Sequence, residues 1–481
     1  MKHNRFTSNR VAGDSLQLRQ VEWRTWYEGS AERIANFYST WLNIHTANGR
    51  FWAALDSNER AEQIHVPIAS DIASTSANML FSGPVTVDSG ANQTRMDETL
   101  QWNKLQRRLS QAAEVAAAMG GVYLKVDSAD DVGVPVISIR YPDMTEGFFH
   151  VNGDLKSVIF SRQFIEGDEN FVLFETRTTE GDDLIIKYQL HKLSSSGALG
   201  KALSLSQTAE TENLKSETRA RNFGGLGAVY IPNALPNKMF LESNEGICDF
   251  AQTIPLMDAL DEAYSAWMND VTLGRGRVFV DEELLNTTDK DKRRFDPYQR
   301  AMTKVQMTNT GDMNKMPIEV VQFAIRAEEY RKTTQDLAER IVSMSGYAPQ
   351  SFGLQVDGRV PESGTALRLR ERKSTITRNK KAWYWKQGLE QFLLEVQRFD
   401  NLFLNTQISP VRPTVELSEH QIQDKKEESE VARNLRQADA ISTEQVVREV
   451  HPEMGEDDIQ AEVRRIQGEL GETVSEEQIG G

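Results

Sequence analysis

The clearest pattern of hydrophobic and polar positions in the chain lies between residues 362 and 403. In its second half, apolar residues recur at spacings of three, four and seven, which is the pattern of one buried face of an α-helix. These residues are Trp385, Leu389, Phe392, Leu393, Val396, Phe399 and Phe403. The first half has few apolar residues among its basic ones, which are Arg368, Arg370, Arg372, Lys373, Arg378, Lys380, Lys381 and Lys386. We therefore predict one long helix, capped by Ser363, that packs at one end and meets charge or water at the other.

Three helical patterns lie in the first 120 residues, at residues 15–46, 68–80 and 96–119. Pro67 opens the second pattern and the Ser-Gly-Pro at residues 82–84 closes it. The first pattern is dense in aromatic residues, which indicates a surface that is packed or faces another subunit. These aromatic residues include Trp23, Trp26, Phe37 and Trp41.

After residue 121 the hydrophobic period changes to two, which predicts β-strands. The predicted strands are residues 122–126, 134–140, 148–151, 155–160, 171–177 and 184–193. Asn152-Gly153 lies between two of them and is a strong signal for a hairpin turn. Residues 194–227 are rich in Ser, Thr, Gly and charge, so we predict a loop there.

The next part predicts two helices around a small insert. A helical pattern starts at Pro255, and another covers residues 326–345. Between them, strand patterns at residues 277–280 and 318–323 enclose a polar stretch. The C-terminal part from residue 416 to 470 is charged and helical in pattern, and Ser442 can cap a helix within it. The element order predicts an α+β fold that is mainly helical.

Charge and composition narrow the function. The net charge of the 481 residues is −16, and residues 416–481 contribute 18 acidic against 7 basic side chains. Such a chain is poorly suited to tight binding of DNA phosphates, since Lys and Arg contacts dominate that binding. The sequence has no run of eighteen apolar residues, which predicts no membrane span, and its start does not have the pattern of a signal peptide. Cys248 is the only cysteine, which favours synthesis in a reducing cytoplasm.

Motifs for catalysis and cofactors are sparse. The seven histidines are scattered and no phosphate-binding loop motif occurs, so we predict no metal and no cofactor. One alternative is a metal-dependent nuclease that uses Asp143, Asp154 and Lys156, in the order Pro-Asp and then Asp-x-Lys. A simpler interpretation makes both aspartates turn residues.

Two short motifs and the element order point to one family. The entry Glu362-Ser-Gly-Thr-Ala-Leu into a long basic helix, and Phe81-Ser-Gly-Pro-Val at the end of an early helix, resemble bacteriophage portal proteins. The closest resemblance is to portals of long-tailed phages of Gram-positive hosts. The two helices around a small insert also match the order of a portal.

The resemblance implies a non-enzymatic ring of twelve subunits at one capsid vertex. Double-stranded DNA would enter through its channel during packaging and leave through it at ejection. The implied partners are the terminase large subunit, a head completion or adaptor protein, and the major capsid and scaffolding proteins. The implied location is the virion, after assembly in the host cytoplasm.

The resemblance also implies a division of the chain and a set of site residues. The division is wing 1–250, stem helix 251–275, clip 276–325, stem helix 326–345, tunnel loop 346–363, tunnel helix and wing return 364–409, and crown with an acidic tail 410–481. The tunnel loop residues nearest DNA would be Gln355, Val356, Asp357 and Arg359. The basic face of the tunnel helix would be Arg368, Arg370, Arg372 and Lys373. The docking residues of the clip would be Lys290, Lys292, Arg293 and Arg294.

Two alternatives to a portal stay open at the level of sequence. One is the nuclease described above, and the other is a cytoplasmic scaffold unrelated to viruses. Ring formation distinguishes a portal from both of them.

Overall fold

The computed structural model mixes helices with antiparallel sheets. It describes residues 15–45, 63–128, 132–194, 197–273, 277–280, 318–321, 325–354, 364–418, 442–450, 455, 458–466 and 468. The helices are α1 Leu16–Glu28, α2 Ala31–His45, α3 Ile68–Phe81, α4 Gln93–Trp102, α5 Leu105–Met119, α6 Ile254–Leu273, α7 Ala327–Met344, α8 Gly364–Phe403, α9 Thr443–Val450 and α10 458–466. The strands are β1 Val85–Asp88, β2 Gly121–Asp127, β3 Val136–Arg140, β4 Thr145–Phe149, β5 Leu155–Glu166, β6 Glu169–Glu180, β7 Asp183–Leu193, β8 Leu199–Leu203, β9 Glu217–Ala220, β10 Ala228–Pro232, β11 Arg277–Val280, β12 Ile318–Val321 and β13 Thr414–Leu417.

The first predicted helix is two helices. The hydroxyl of Ser15 accepts a hydrogen bond from the Leu18 N–H and caps α1, and Gly29 ends the helix with a φ of +67°. A left-handed residue at a helix C-terminus is easiest for glycine, so the chain turns here. Trp23 and Trp26 are buried within the chain, where α1 packs against α3 and α5. For these two residues the packed alternative is correct, and the side chain of Trp41 lies outside the described residues.

The second helix has the predicted bounds to within one residue, and the third is divided. Lys104 adopts a φ of +52° and separates α4 from α5. The Asn103 side chain stabilises this break by donating to the Pro135 carbonyl at 2.8 Å. Helices α3 and α5 approach closely because small buried residues face each other, including Ala69, Ala73, Ala77, Ala112, Ala113 and Ala116.

Two larger antiparallel sheets follow the helices. One has the strand order β10-β2-β3, and the other has the order β4-β5-β6-β7-β8 with β9 also paired to β7. The predicted hairpin at Asn152-Gly153 is confirmed, because the His150 N–H donates to the Asp154 carbonyl at 2.8 Å and Gly153 has a φ of +90°. The prediction of a loop over 194–227 is wrong in part, since β8 and β9 lie in it. Both are short strands beside β7, of five and four residues, and neither shows the alternation of apolar and polar residues that predicts a strand.

The helices around the predicted insert are confirmed. Helices α6 and α7 pack together, and the ring of Trp267 stacks on Tyr330 at 6.1 Å between centroids. Strands β11 and β12 pair with each other. The polar stretch between these two strands lies outside the described residues.

The C-terminal part was predicted to be helical from residue 416, and the structure differs at its start. The segment from Thr414 is a strand, β13, which pairs with β1. The predicted cap of α9 is confirmed, because the Gln445 N–H donates to the Ser442 hydroxyl at 3.2 Å. Helices α9 and α10 pack through a small cluster of their own, formed by Val447, Ile459 and Val463.

The second half of α8 lies in the main core, as its apolar pattern predicts. Its buried residues are Trp385, Leu389, Phe392, Leu393, Val396 and Phe399. Trp385 packs edge-on against Phe81 with ring centroids 5.1 Å apart. A side chain at Gly388 would come within 2.6 Å of Ile231, so glycine lets β10 approach the helix closely.

Candidate functional site

The first half of α8 buries charge on the same side as its second half buries apolar residues. Lys381 is buried, and its ammonium donates to both carboxylate oxygens of Asp249 at 2.6 and 2.7 Å. It also donates to the hydroxyls of Ser76 at 2.7 Å and Tyr347 at 2.9 Å. Three ammonium protons therefore have partners on three separate segments of the chain.

Asp249 is the centre of this polar cluster. Besides Lys381, the Tyr347 hydroxyl donates to it at 2.8 Å and the Asn233 amide donates at 2.8 Å. Burial lowers the pKa of Lys381, and the facing carboxylate of Asp249 offsets part of that effect. Burial also raises the pKa of the Tyr347 hydroxyl, which keeps it a proton donor at neutral pH. A buried charge is tolerated only when it is paired and hydrogen-bonded, and this cluster meets both conditions.

The cluster holds the segment that follows α7 against the side of α8. The Thr377 hydroxyl donates to the Gly346 carbonyl at 2.6 Å. The Ser374 hydroxyl accepts from the Ala348 N–H at 2.8 Å and lies 2.9 Å from the Ser351 hydroxyl. These contacts, together with Tyr347, fix the main chain at the base of the predicted tunnel loop. We call this set the loop anchor, and it comprises Tyr347, Ser374, Thr377, Lys381 and Asp249.

Lys373, predicted on a basic face toward DNA, has a different contact. Its ammonium donates to the carbonyl of Ser343 in the last turn of α7, and to the Ser343 hydroxyl at 3.2 Å. A cation at a helix C-terminus is favourable because the last carbonyls of a helix lack partners. Lys373 therefore continues the loop anchor by one turn, since 373, 377 and 381 lie on one face of a helix.

The other sequence-predicted site residues have separate outcomes. Arg372 is exposed on α8. Arg368 and Arg370 lie in α8, but their side chains are outside the described residues. The tunnel loop and clip residues are also outside the described residues, namely Gln355, Val356, Asp357, Arg359, Lys290, Lys292, Arg293 and Arg294.

The first half of α8 was predicted to meet charge or water, and Lys381 does meet charge in the Asp249 carboxylate, but neither Lys381 nor Arg378 meets water. Both are buried, and Arg378 donates to the Ser418 carbonyl beyond β13. A signal for this was present in the sequence. Residues 374, 378 and 381 continue the spacing of three and four that runs from Trp385, so they lie on the buried side of the helix.

The residues of the predicted nuclease site are not brought together. Asp143 precedes β4 and accepts from the Arg24 guanidinium at 2.8 Å, whereas Asp154 accepts from the Asn152 amide in the hairpin turn at 2.6 Å. The five residues of β4 lie between them and span roughly 17 Å, too far for one metal ion. Both aspartates are turn residues, and Lys156 is exposed on β5. In the described parts of the chain, no group of three or more His, Cys, Asp or Glu side chains is placed to hold a metal.

A second buried charge cluster joins the two larger sheets, and sequence reasoning missed it. Arg177 on β6 donates to Glu175 at 2.6 Å and to Asp127 on β2 at 2.8 Å. Lys125 also donates to Glu175. Burial alone would raise the pKa of Glu175, but Arg177 and Lys125 hold it at about 2. The cluster joins β2 to β6, and each of its charged groups has a partner of opposite charge, so we interpret it as structural.

The comparisons with known proteins give a family. A family model described as phage portal protein, SPP1 Gp6-like, matches residues 19–476. No curated protein matches the chain. Among the helices of the described residues, none has the length and apolar character needed to cross a membrane.

Solved structures with a similar course of the chain come from gene transfer agent (GTA) particles. One is the neck of an empty particle, computed with C6 symmetry, at 12% sequence identity and a TM-score of 0.43. The match covers 79% of this chain and 88% of the chain in that structure. Another is the virion of a native particle, at 11% sequence identity and a TM-score of 0.43, where the match covers 90% of this chain and 97% of the chain in that structure. A third is the neck of a native particle, computed with C12 symmetry, at 11% sequence identity and a TM-score of 0.43, where the match covers 81% of this chain and 91% of the chain in that structure.

The family match spans nearly the whole chain and removes the alternative of a scaffold unrelated to viruses. The protein therefore belongs to the SPP1 Gp6-like family of phage portal proteins, which occupy a capsid vertex of the virion.

Proposed function

We propose that twelve copies of this protein close into a ring and form the channel through which double-stranded DNA is packaged and ejected. The observation that carries this proposal is the family match over residues 19–476. The protein acts as a passage and a docking platform, without catalysis. Its net charge of −16 suits that role, because a negative ring repels DNA and lets it slide.

The division of the chain follows the same proposal. The wing covers residues 1–250, and its two larger sheets with α1–α5 support this assignment. The stem helices are α6 and α7, which pack as a pair, and the clip lies between them with β11 and β12. The crown contains α9 and α10, which have their own small apolar cluster.

The segment between α7 and α8 is proposed as the tunnel loop, with Gln355, Val356, Asp357 and Arg359 nearest the DNA. Support comes from the loop anchor, which fixes the first residues of this segment, before residues 355–359. A loop with a fixed base takes the same place in every subunit, so a ring of such loops narrows the channel evenly. Residues 355–359 of this loop offer one acid, one base and no aromatic residue, which suits passing contact with phosphates and not base recognition.

The basic face of α8 contributes a smaller part of the channel in this proposal. Arg368 and Arg370 remain its members, while Arg372, which is exposed, lies one helical turn from the exposed Ile376 and is reassigned to a contact between subunits. Lys373 is reassigned to the loop anchor because its ammonium contacts Ser343.

Docking to other virion proteins is proposed at the clip. Lys290, Lys292, Arg293 and Arg294 alternate with acidic residues there, which is typical of a mixed-charge docking rim for the terminase large subunit and later the head completion protein. Arg293→Glu with Arg294→Glu should weaken docking of both partners and spare ring assembly. Undiminished docking in intact rings would remove these residues from the proposal. Contacts with the major capsid and scaffolding proteins are proposed for the wing.

The experiment that tests the proposed function is negative-stain imaging of the purified protein, with the mass of the particles measured in parallel. We expect closed rings with a central hole and about twelve times the mass of the chain. Monomers and dimers alone at micromolar concentration would contradict it.

A further inference from the structure

One side of α8 remains open to solvent although it carries two large apolar residues. Ile376 is 59% exposed and Trp383 is 66% exposed. They are seven residues apart, so they lie on one face, two helical turns from each other. The opposite face carries the loop anchor and the core residues. An exposed tryptophan and isoleucine on one helix face indicate a contact that the single chain leaves unmade.

The charges around these two residues have a single sign. From Arg372 to Leu389 the sequence has six basic residues and no acidic one, in a chain whose net charge is −16. Arg372, Lys380 and Lys386 are exposed beside the apolar pair. Lys380 is held in place by a hydrogen bond of 2.6 Å to the Leu235 carbonyl. We call this surface the α8 stripe, and it comprises Arg372, Ile376, Lys380, Trp383 and Lys386.

The same chain presents a surface of complementary character. The turn between β5 and β6 exposes Ile165 by 73% and carries Glu166, Asp168 and Glu169 beside it, of which Asp168 is exposed and Glu169 pairs with Lys192 on β7. An apolar residue among acidic ones matches an apolar stripe among basic ones in both charge sign and hydrophobicity. A closed ring joins two different patches on each copy, so one chain must carry both halves of the contact.

We propose that the α8 stripe of one subunit binds the β5–β6 turn of its neighbour in the ring. This inference rests on the proposed ring and names the surfaces that close it. Trp383 would supply the buried anchor of the contact, since aromatic residues dominate the binding energy of interfaces. The basic and acidic residues around it would fix which two faces meet.

Duplex DNA is the less favoured occupant of the stripe. Binding to phosphates uses lysine and arginine and has no need of Ile376, whereas a protein surface buries both apolar residues and pairs the charges. A tryptophan left facing the channel would also give passing DNA an adhesive contact.

The test compares assembly of variants by mass measurement at micromolar concentration. Ile376→Asn with Trp383→Ser should shift the ring to monomers or raise the concentration needed for assembly at least tenfold. Trp102→Ser is the matched control, because Trp102 is a 47% exposed tryptophan on α4 that lies outside both surfaces. It should assemble like the native chain.

A second pair of variants keeps the test valid if the first one folds poorly. Arg372 and Lys386 make no ion pair with another described residue, so Arg372→Glu with Lys386→Glu should preserve the fold and impair assembly. Asp168→Lys should impair assembly by itself. Combining it with Arg372→Glu should recover part of the assembly that each substitution loses.

The outcomes separate this inference from the proposed function. A native chain that forms no ring contradicts the proposed function. If the native chain forms rings and both stripe variants assemble equally well, the inference is overturned and the ring stands. Rings of unchanged mass that lose affinity for a labelled DNA duplex would place the stripe in the channel, which also overturns it.

Discussion

The two halves of α8 bury the same side of one helix in opposite ways. The second half packs Trp385, Leu389 and Phe392 into the apolar core. The first half places Ser374, Arg378 and Lys381 on that side, and each has polar partners on other segments. Whether a residue of this helix is buried therefore depends on which face of the helix it occupies. Whether the buried residue is apolar or polar depends on the segment that packs against it.

The difference matters for function because the two kinds of contact constrain the chain differently. Apolar packing is non-directional and tolerates small shifts of the partners. The loop anchor uses hydrogen bonds of defined direction, so it fixes where residues 346–351 lie on α8. A segment proposed to meet DNA at the same radius in every subunit needs the second kind of support.

Lys381→Met gives the largest expected loss of stability. It leaves the Asp249 carboxylate buried without its cation, and breaking a buried ion pair in this way costs about 3–5 kcal/mol. Urea titration measures the loss, and Lys332→Met on the exposed side of α7 is the matched control, within about 0.5 kcal/mol of the native chain. Adding Asp249→Asn should return part of the loss, because no lone charge then remains buried. Equal losses in Lys381→Met and the control would contradict the role of the anchor.

Leu389→Ala probes the apolar half and should cost about 3 kcal/mol through lost burial and the cavity it leaves. The two substitutions should lower the free energy of unfolding by similar amounts, but they should loosen different parts of the chain. Hydrogen exchange should show faster exchange of the amides at residues 346–351 in Lys381→Met and not in Leu389→Ala. The same pattern of exchange in both variants would show that the two halves act as one unit.

Ser374→Ala removes one hydrogen bond of the anchor and should cost about 1 kcal/mol. The Ala348 N–H loses its acceptor, so its exchange should be faster than in the native chain. Ser374→Thr keeps a hydroxyl at this position and is the matched control. No change at Ala348 in the alanine variant would mean that this hydrogen bond does not hold the segment.

Glu395→Gln tests one of the two buried carboxylates of the apolar half, Glu395 and Asp400, and has the smallest expected effect. Burial raises the pKa of Glu395 above its ordinary value near 4.5, although the Gly227 N–H donates to it at 3.0 Å. Between the unfolded and folded pKa values the folded chain binds more protons, so native stability falls as pH rises through that window. The glutamine variant has no proton to lose and should gain stability relative to the native chain from pH ~4 to 7. Urea titrations across that range should show this gain. A difference in the free energy of unfolding between the variant and the native chain that stays constant with pH would contradict the prediction.

The sequence predicted the elements whose pattern is local and missed those that depend on a distant partner. Neighbouring residues were enough to predict the buried apolar face of α8, the hairpin at Asn152-Gly153 and the cap at Ser442. The first half of α8 was predicted to meet charge or water, but the burial of Lys381 could not be predicted because its partner Asp249 lies 132 positions away in the sequence. The break at Lys104 was also missed, since its left-handed backbone depends on Asn103 contacting Pro135.

The candidate site was predictable only in outline. The glycines and the two prolines of residues 346–363 and the basic residues that follow indicated a loop between two long helices. The loop anchor could not be predicted, because it joins α3, α8 and the segments at Asn233, Asp249 and Tyr347. Periodicity assigns a face to a helix, and it does not identify what that face meets.

The most direct test of the account is a reconstruction of the assembled ring by electron cryomicroscopy, with the distance of each residue from the ring axis measured. The account predicts that residues 355–359 lie nearest the axis in every subunit, with Tyr347 and Ser374 fixed behind them. A ring in which another segment forms the narrowest part of the channel, with residues 355–359 on the outer surface, would contradict it.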